Sequence, residues 1–353
     1  MTTKTRYFVI TSLLVLTVGV ASGLVAYYGG FPTSASSSAG GPEELQYVPR
    51  DAAVVAYADV QDVMNSDLRR HLKAMMPMSE NGQQEFQNKT GINIETDIDR
   101  VVAVLGGSTG LRGPSSGMVV ATGRFDAARI EALMREHGAE VEEYKNKRLL
   151  VSTEAMRKPF NVDATGAPAP VEPMPEQPEH KFALAFLKPG VIAVGSSELV
   201  HRAVDLDSGG DNITTNEEVM ELVRSLDSGN NAWALGHFDA LQPKTKLPDS
   251  VASQIPAINL FSLSAHINGG VEGTLRAETR DDDAAKNFRD VLNGLLALGK
   301  LQTGAKPEMQ AMMQSLQIGG AGKTVSLSFS VPSEFFDLAG QHMHDQLMPR
   351  ENR

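Results

Sequence analysis

Residues 118–134 read MVVATGRFDAARIEALM, and this stretch contains a strand and a helix in immediate succession. Apolar and small residues dominate 118–124, which is typical of a strand. Asp126 stands at a helix N-cap position, and apolar residues recur at helical spacing across 130–134. Gly138 follows as a helix stop signal. The stretch therefore predicts a strand that leads directly into an amphipathic helix.

The same order of elements returns in the later half of the chain. Residues 272–292 read EGTLRAETRDDDAAKNFRDVL, again a strand, a polar turn and a helix. The strand pattern at 52–60 matches the one at 232–238, and a hairpin followed by a helix occurs at both 182–204 and 317–338. We therefore predict an α+β protein with two related antiparallel sheet-plus-helix units. Chance similarity between common elements is the alternative, and the sequence leaves open whether the units share one sheet.

Further local patterns place the remaining elements. A strand is predicted over 98–105, and Lys145, Asn146 and Lys147 form the turn of a hairpin that ends at Ser152. Residues 63–76 carry apolar side chains at the spacing of one helix.

Residues 7–28 form an apolar stretch without a charged side chain. A bilayer core of about 30 Å requires roughly 20 apolar residues in a helix, whereas the apolar region of a cleaved leader is about half that length. We predict a retained transmembrane anchor. Because Lys4 and Arg6 precede it, the amino terminus is expected in the cytoplasm and the remainder outside. Cleavage after Ala39, which would release a soluble form, is the alternative.

The predicted anchor also contains a pair of small residues at helical spacing. Gly19 and Gly23 are four positions apart and allow two helices to approach closely. They predict a homodimer through the anchor, although a single such pair is common in membrane helices.

These patterns divide the chain into five segments. The segments are a cytoplasmic stub and transmembrane anchor at 1–30, a Gly/Ser-rich tether at 31–47, a first α+β unit at 48–212, a second unit at 213–340 and a polar tail at 341–353. The first unit contains a proline-rich insertion at 159–178, which is expected to be an extended surface loop.

Charge and cysteine content exclude several functions. The chain has 32 Lys and Arg against 43 Asp and Glu, a net charge of −11, and its anchor contributes only positive charge. We expect no nucleic-acid partner and no docking on anionic headgroups. With 0 cysteines, the protein has no disulfide framework, no thiolate nucleophile and no cysteine for lipid attachment.

One sequence motif indicates catalysis. Residues 106–110 read GGSTG and match the elbow that presents a nucleophilic serine, here Ser108, after a strand. That elbow needs a helix immediately afterwards, but LRGP follows at 111–114. Candidate bases, which the spacing does not rank, are His137, His201 and His237.

Three further patterns match cofactor sites only in part. Residues 319–324, GGAGKT, resemble the end of a phosphate-binding loop but lead into a strand pattern. Residues 205–211, DLDSGGD, resemble a calcium loop but lack two of its ligands, and a polar link whose Thr215 or Asn216 caps the next helix is the preferred interpretation. Methionines near His71 suit Cu(I), yet methionine at helical spacing usually packs in a core. We expect no cofactor and no bound metal.

The combination of anchor, Gly/Ser tether and the motif VPRDAA at 48–53 resembles signal-anchored exported proteins of bacteria whose function is unknown. The resemblance implies export to the bacterial envelope but brings no active site or ligand. We expect a single-pass protein of the inner membrane that binds or scaffolds an envelope protein partner without catalysis. The alternatives are an envelope serine hydrolase that uses Ser108 and a carrier of an apolar ligand.

Overall fold

The computed structural model describes residues 41–75, 84, 87–106, 117–152, 181–226, 229–238, 258–302, 307–333 and 335–336. The segment 7–28, the glycines at 19 and 23, Ser108, the insertion at 159–178 and the tail at 341–353 lie outside these residues. Within the described ranges, no helix combines the length and the apolar character that crossing a bilayer requires.

The fold is α+β and is built on one antiparallel sheet of 12 strands. The spatial order is β11-β12-β10-β9-β8-β1-β2-β3-β7-β6-β5-β4. The strands of the first half are β1 Val54–Asp59, β2 Ile98–Leu105, β3 Gly117–Gly123, β4 Glu140–Tyr144, β5 Lys147–Ser152, β6 Phe182–Lys188 and β7 Val191–Ser196. Those of the second half are β8 Ala232–His237, β9 Ile258–Ile267, β10 Gly270–Thr279, β11 Gln317–Gly319 and β12 Thr324–Pro332.

The two halves of the sheet meet at the pairing of β1 with β8, which we call the seam. Outward from the seam, the first half runs β1-β2-β3-β7-β6-β5-β4 and the second half runs β8-β9-β10-β12-β11, so the second half matches the first five positions of the first half. Ala56 lies opposite Ala234 at the seam, and the rings of Tyr57 and Trp233 stack with centroids 5.5 Å apart. One continuous sheet therefore joins the halves, and over the five positions nearest the seam the chain visits the strands in the same order in each half.

Eight helices are placed around the sheet within the described ranges. They are α1 Val60–Asn65, α2 Asp67–Met75, α3 Ile94–Asp97, α4 Ala127–Glu136, α5 Ser197–Asp207, α6 Glu217–Ser225, α7 Asp282–Gln302 and α8 Pro307–Ser315. Short 3-10 helices occupy Glu43–Tyr47 and Ile213–Thr215.

Side-chain caps fix where several helices begin. Asp126 accepts a hydrogen bond from the Arg129 amide at 3.1 Å, which confirms the predicted start of α4. Asn216 caps α6 through the Val219 amide at 3.4 Å.

The single helix predicted over 63–76 is wrong. Ser66 has extended backbone angles, ends α1 and accepts from the Arg69 amide at 3.1 Å, so a second helix starts there.

The two faces of the sheet are packed differently. Face A carries Tyr57 and Trp233, and face B carries Ala56 and Ala234. In the first half, face A is covered by both 3-10 helices and by α5 and α6, while α4 covers face B. In the second half, α7 and α8 pack on face B, where Met312 and Met313 are buried. Those two methionines belong to the apolar core.

The first 3-10 helix attaches the chain entry to face A of the first half. Glu44 is only 2% exposed, and its Oε1 accepts from Arg100 Nε at 3.0 Å and from Thr122 Oγ1 at 2.5 Å. Its neighbours Leu45 and Tyr47 are buried in the core beside it. Burial raises the pKa of the Tyr47 phenol to about 12, and nearby carboxylates, Asp207 first, add to the effect. These residues of the 3-10 helix lie within the tether predicted over 31–47, so the last part of that segment is a helical turn packed in the folded core, because its apolar side chains are buried there.

Candidate functional site

Face A changes character between the two halves of the sheet. In the first half, β3 presents the apolar side chains of Met118 and Val120 to the core. The third strand of the second half, β10, presents Thr274 and Arg276 on the same face. Alternate residues of a strand point to opposite faces, so the polar substitutions on face A of β10 leave its face B unaffected. Face B of β10 stays apolar, as the buried Ala277 shows.

Serine and threonine hydroxyls dominate this part of face A. We call it the hydroxyl face and define it by Ser262 and Ser264 on β9, Thr274 on β10, and Ser326, Ser328 and Ser330 on β12. The pairing register aligns these residues across the strands, with Ser264 opposite Thr274 and Thr274 opposite Ser328. Adjacent strands lie about 4.8 Å apart, so the row presents hydroxyls at that interval. Gln317 on β11 extends the same row to the sheet edge.

The degree of burial varies across the hydroxyl face. On β9, Ser262 and Ser264 are 2% and 1% exposed, because the neighbouring seam is covered by α6 and Trp233. On β10 and β12, Thr274 and Ser328 are partly exposed. Their hydroxyl oxygens lie 3.1 Å apart, and either can donate to the other. The accessible part of the face therefore lies toward the outer strands.

An open groove of about 380 Å³ follows this part of the sheet. Its polar lining includes Ser264, Thr274 and Ser328, with Gln317 and Asn230 at its margins. The groove is thus a concave polar surface on an otherwise packed sheet.

An imidazole and a carboxylate stand at one end of the groove. His266 and Glu272 are opposite one another in the register of β9 and β10, and both are exposed. His266 Nδ1 lies 2.8 Å from the Gly229 carbonyl oxygen and donates to it, so in the neutral ring Nε2 is the acceptor. Glu272 Oε1 accepts from Ser330 Oγ at 3.4 Å. This end of the groove offers hydrogen-bond acceptors from His266 and Glu272, whereas the Gln317 amide offers donors at the other end.

Ser315 protects the outer edge of β12 next to the groove. Its hydroxyl oxygen lies 2.7 Å from the carbonyl oxygens of both Met312 and Ser330, which share its proton, and accepts from the Ser330 amide at 3.1 Å. The short strand β11 pairs only with residues Ser326 to Ser328, so this side chain satisfies backbone groups beyond it. Occupied edge groups discourage pairing with another chain.

The cations beside the hydroxyl face are already bound to protein groups. Arg276 Nη1 donates to the Ser225 carbonyl at the end of α6, at 3.4 Å. Lys323 forms an ion pair with Glu278, and that hydrogen bond raises the pKa of the lysine. Glu218 and Glu221 of α6 lie close enough to Lys323 to raise its pKa further, whereas Glu217 is paired with Arg224.

The first half contains a serine, a histidine and a carboxylate within reach of one another. Ser197 Oγ lies 3.3 Å from His201 Nδ1, and His201 Nε2 lies 3.0 Å from Glu142 Oε1. However, Nδ1 is closer, at 2.7 Å, to the Ser197 carbonyl oxygen and donates its proton there. Burial lowers the pKa of His201, but the hydrogen bonds to Glu142 and to that carbonyl outweigh it and raise the pKa overall. Because Nδ1 donates its proton to that carbonyl, it cannot accept the proton of the Ser197 hydroxyl, and the ring is not a base for Ser197.

The calcium-loop pattern at 205–211 does not form a loop over its first residues. Asp205 and Asp207 lie in α5, where Asp205 pairs with Lys145 at 2.6 Å and Asp207 pairs with Lys147 at 2.7 Å. The hydrogen bond from Lys145 lowers the pKa of Asp205, and a second one from Tyr144 adds to it. These carboxylates join α5 to the β4–β5 hairpin.

The phosphate-loop pattern at 319–324 is a hairpin turn between β11 and β12. Gly320 and Gly322 have φ of +104° and +55°, and Thr324 begins β12 instead of a helix. His137 ends α4 and His237 ends β8, both far in sequence from Ser108, which lies outside the described residues. Across the described ranges, no group of three His, Cys, Asp or Glu side chains is arranged to hold a metal ion.

Comparison with known proteins adds one structural likeness. No protein-family model and no curated protein matches this chain. A solved structure, crystal form I of TP0453, aligns with 88% of this chain and 99% of its own at 12% identity and a TM-score of 0.41. The function must therefore be inferred from the residues of this chain.

Sequence reasoning recognised the alternation in 324–331 as a strand but missed the hydroxyl face. The signal was present, because Ser262 and Ser264 alternate with apolar residues on β9 as Ser326, Ser328 and Ser330 do on β12. The two serine series are far apart in the sequence. Only the strand order, which places β10 between them, brings them together.

Proposed function

We propose that this is a non-catalytic binding protein of the bacterial envelope, anchored in the inner membrane by residues 7–28, with the hydroxyl face as its binding surface. The folded part lies outside the cytoplasm. Its two halves are related units that arose by duplication and then diverged on face A. The common order of the five strands nearest the seam supports the relationship between the halves.

The contrast between the halves on face A carries the binding proposal. In the first half this face is apolar and is used to pack α5 and the 3-10 helices. In the second half the same face carries hydroxyls and a groove, and α7 and α8 pack on the opposite face. Exposing a polar sheet face costs little in water, and its donors and acceptors are available to a ligand.

The hydrogen bonding of the hydroxyl face supports binding without catalysis. A serine nucleophile needs a neighbouring base that removes its proton. The partner of Ser328 in the groove is the hydroxyl of Thr274, and the partner of Ser330 is the carboxylate of Glu272 at a long 3.4 Å. The groups that line the groove can therefore form hydrogen bonds with a ligand.

The anchor and the binding surface are attached to different halves. The tether leads into the 3-10 helix at Glu43–Tyr47, which is fixed to face A of the first half by Glu44 and Tyr47. A flexible chain of the length of residues 29–41 has an average reach of about 20 Å. The first half therefore stays near the membrane surface, and the second half presents its groove beyond the seam.

A site-specific crosslinking experiment tests this proposal. A photoreactive amino acid is placed at Ser328 in the full-length protein and, as a matched control, at Ser208, an exposed serine at the end of α5. We expect an adduct in intact cells from position 328 and none from 208. The absence of an adduct at both positions, with the protein correctly folded, overturns the binding surface.

Protease treatment of spheroplasts tests the compartment separately. We expect externally added protease to digest the folded part of the chain. If that part stays intact until the membrane is permeabilised, the protein is not exported and the envelope role is wrong.

A further inference from the structure

The chemical character of the hydroxyl face restricts what it can bind. This inference rests on the proposed function, because it concerns the ligand of the same surface. A hydroxyl both donates and accepts, and its proton rotates to suit the partner. Thr274 and Ser328 lie side by side at 3.1 Å, so a ligand hydroxyl can replace either one in their mutual hydrogen bond. Such a pair suits a partner whose groups are also donor and acceptor at once.

The charges around the groove disfavour an anionic ligand. The lining of the groove includes the exposed Glu272 but no lysine or arginine side chain. Beside the groove, Lys323 is paired with Glu278, and Arg276 keeps its charge but is held by the Ser225 carbonyl. An anion in the groove would therefore lie near Glu272 with no lining cation to pair with it. Phosphorylated, sulfated and carboxylated ligands are disfavoured for that reason.

The groove is equally unsuited to an apolar ligand. Apart from Phe329, the side chains that line it are mostly polar and carry hydroxyl, amide, imidazole and carboxylate groups, from Thr274, Ser328, Gln317, His266 and Glu272. Covering them with hydrocarbon would leave donors and acceptors unsatisfied, at a cost of several kcal/mol for each group in the worst case. A ligand must instead replace the hydrogen bonds that water makes with them.

We propose that the hydroxyl face binds an uncharged saccharide chain. Its hydroxyls match the donor-and-acceptor character of Thr274 and Ser328, while the imidazole of His266 and the amide of Gln317 add an acceptor and donors at the two ends. The accessible part of the row, formed by Thr274, Ser328 and Gln317, continues across β10, β12 and β11 to the sheet edge. An extended chain of sugar units can therefore lie across the strands and leave the site at that edge.

The test uses the full-length protein in detergent micelles and isothermal titration with four probes. Chitotetraose and cellotetraose are the neutral saccharides, tetragalacturonate is a charged saccharide of similar length, and tetralysine represents a cationic peptide. We expect saturable binding of at least one neutral saccharide only. Replacing Thr274→Val together with Ser328→Ala should weaken it about tenfold, since it removes two neutral hydrogen-bonding groups.

The Ser208→Ala variant is the matched control and should bind like the parent protein, and both variants should keep the parent melting temperature. Binding of tetralysine or tetragalacturonate alone, lost in the double variant, would overturn the saccharide inference while leaving the hydroxyl face as a binding surface. Equal binding of a neutral saccharide by the double variant and the parent would also overturn it. Failure of all probes, together with no crosslink at Ser328 in cells, would overturn both proposals.

Discussion

Gly236 controls how closely β8 approaches β1 at the seam. A Cβ atom at this position would lie 2.2 Å from the Ala53 carbonyl oxygen and 2.7 Å from Val54 Cα. Both are backbone atoms, so no side-chain rotation relieves the contact. The residue also has φ of +149°, which L side chains rarely adopt. Overpacking and backbone strain each cost about 1–3 kcal/mol, so Gly236→Ala should lower the free energy of unfolding by about 2–6 kcal/mol.

Two other glycines provide matched controls for that prediction. Gly229 has φ of +100°, and a Cβ atom added there would meet nothing within 4 Å, so Gly229→Ala carries the strain alone and should cost about 1–3 kcal/mol. Gly269 has open space and no positive φ, so Gly269→Ala should stay within about 0.5 kcal/mol of the parent. All three changes affect the unfolded chain alike, and their differences report the folded state.

Urea unfolding followed by tryptophan fluorescence measures this series. The chain has 1 tryptophan, Trp233, which is 6% exposed on β8 and stacked on Tyr57 across the seam. Its emission therefore reports the opening of the seam directly. If Gly236→Ala unfolds at the same urea concentration as Gly229→Ala, the close approach of the two strands contributes nothing. If Gly236→Ala unfolds at the same urea concentration as Gly269→Ala, the backbone strain at Gly236 is also refuted.

Three further predictions concern other parts of the fold. Arg100→Met should cost about 3 kcal/mol of unfolding free energy in urea denaturation, because it leaves the buried Glu44 carboxylate without its cation. The double variant with Glu44→Gln should recover most of that loss, and an equal loss in both contradicts the pairing. Asp126→Ala should cost about 1 kcal/mol through the lost helix cap, whereas Asp126→Asn should not, and equal melting temperatures refute the cap. The pKa of His201 is raised in the fold because its hydrogen bonds, including that to Glu142, outweigh burial. The stabilisation that results is complete below about pH 6.5 and is lost as the pH rises through the folded pKa. The unfolding free energy of the parent should therefore fall relative to that of His201→Gln as the pH rises above about 6.5, and parallel pH profiles of the two proteins contradict the prediction.

Elements set by neighbouring residues could be predicted from the sequence. The strand at 98–105 agrees with β2 residue for residue, because its alternation is local. The hairpin turn is also correct, since Lys145 and Asn146 adopt φ of +47° and +61°, as the tight turn between two twisted strands requires. Asp126 capped its helix where predicted. In each case, the deciding interaction spans only a few residues.

Features that depend on distant pairings could not be predicted in the same way. Nothing in the local pattern of β1 specifies that Val54 pairs with Gly236, so the sequence left the number of sheets open. The split at Ser66 also escaped periodicity analysis. The apolar spacing continues across it, while the serine side chain caps the next helix. The apolar spacing favours one continuous helix there, but the hydrogen bond of the Ser66 side chain to the next helix ends the first one.

The different use of face A in the two halves connects the fold with the proposed function. Under the proposed duplication, both halves started with the same kind of face A, and each half must bury that face or replace its side chains. The first half keeps Met118 and Val120 there and buries them in the core that contains the 3-10 helix at Glu43–Tyr47. The second half carries Thr274 and Arg276 on the matching strand, so its face A needs no helix above β10 and β12. Face A of the second half is therefore not required for packing and can be used to bind a ligand.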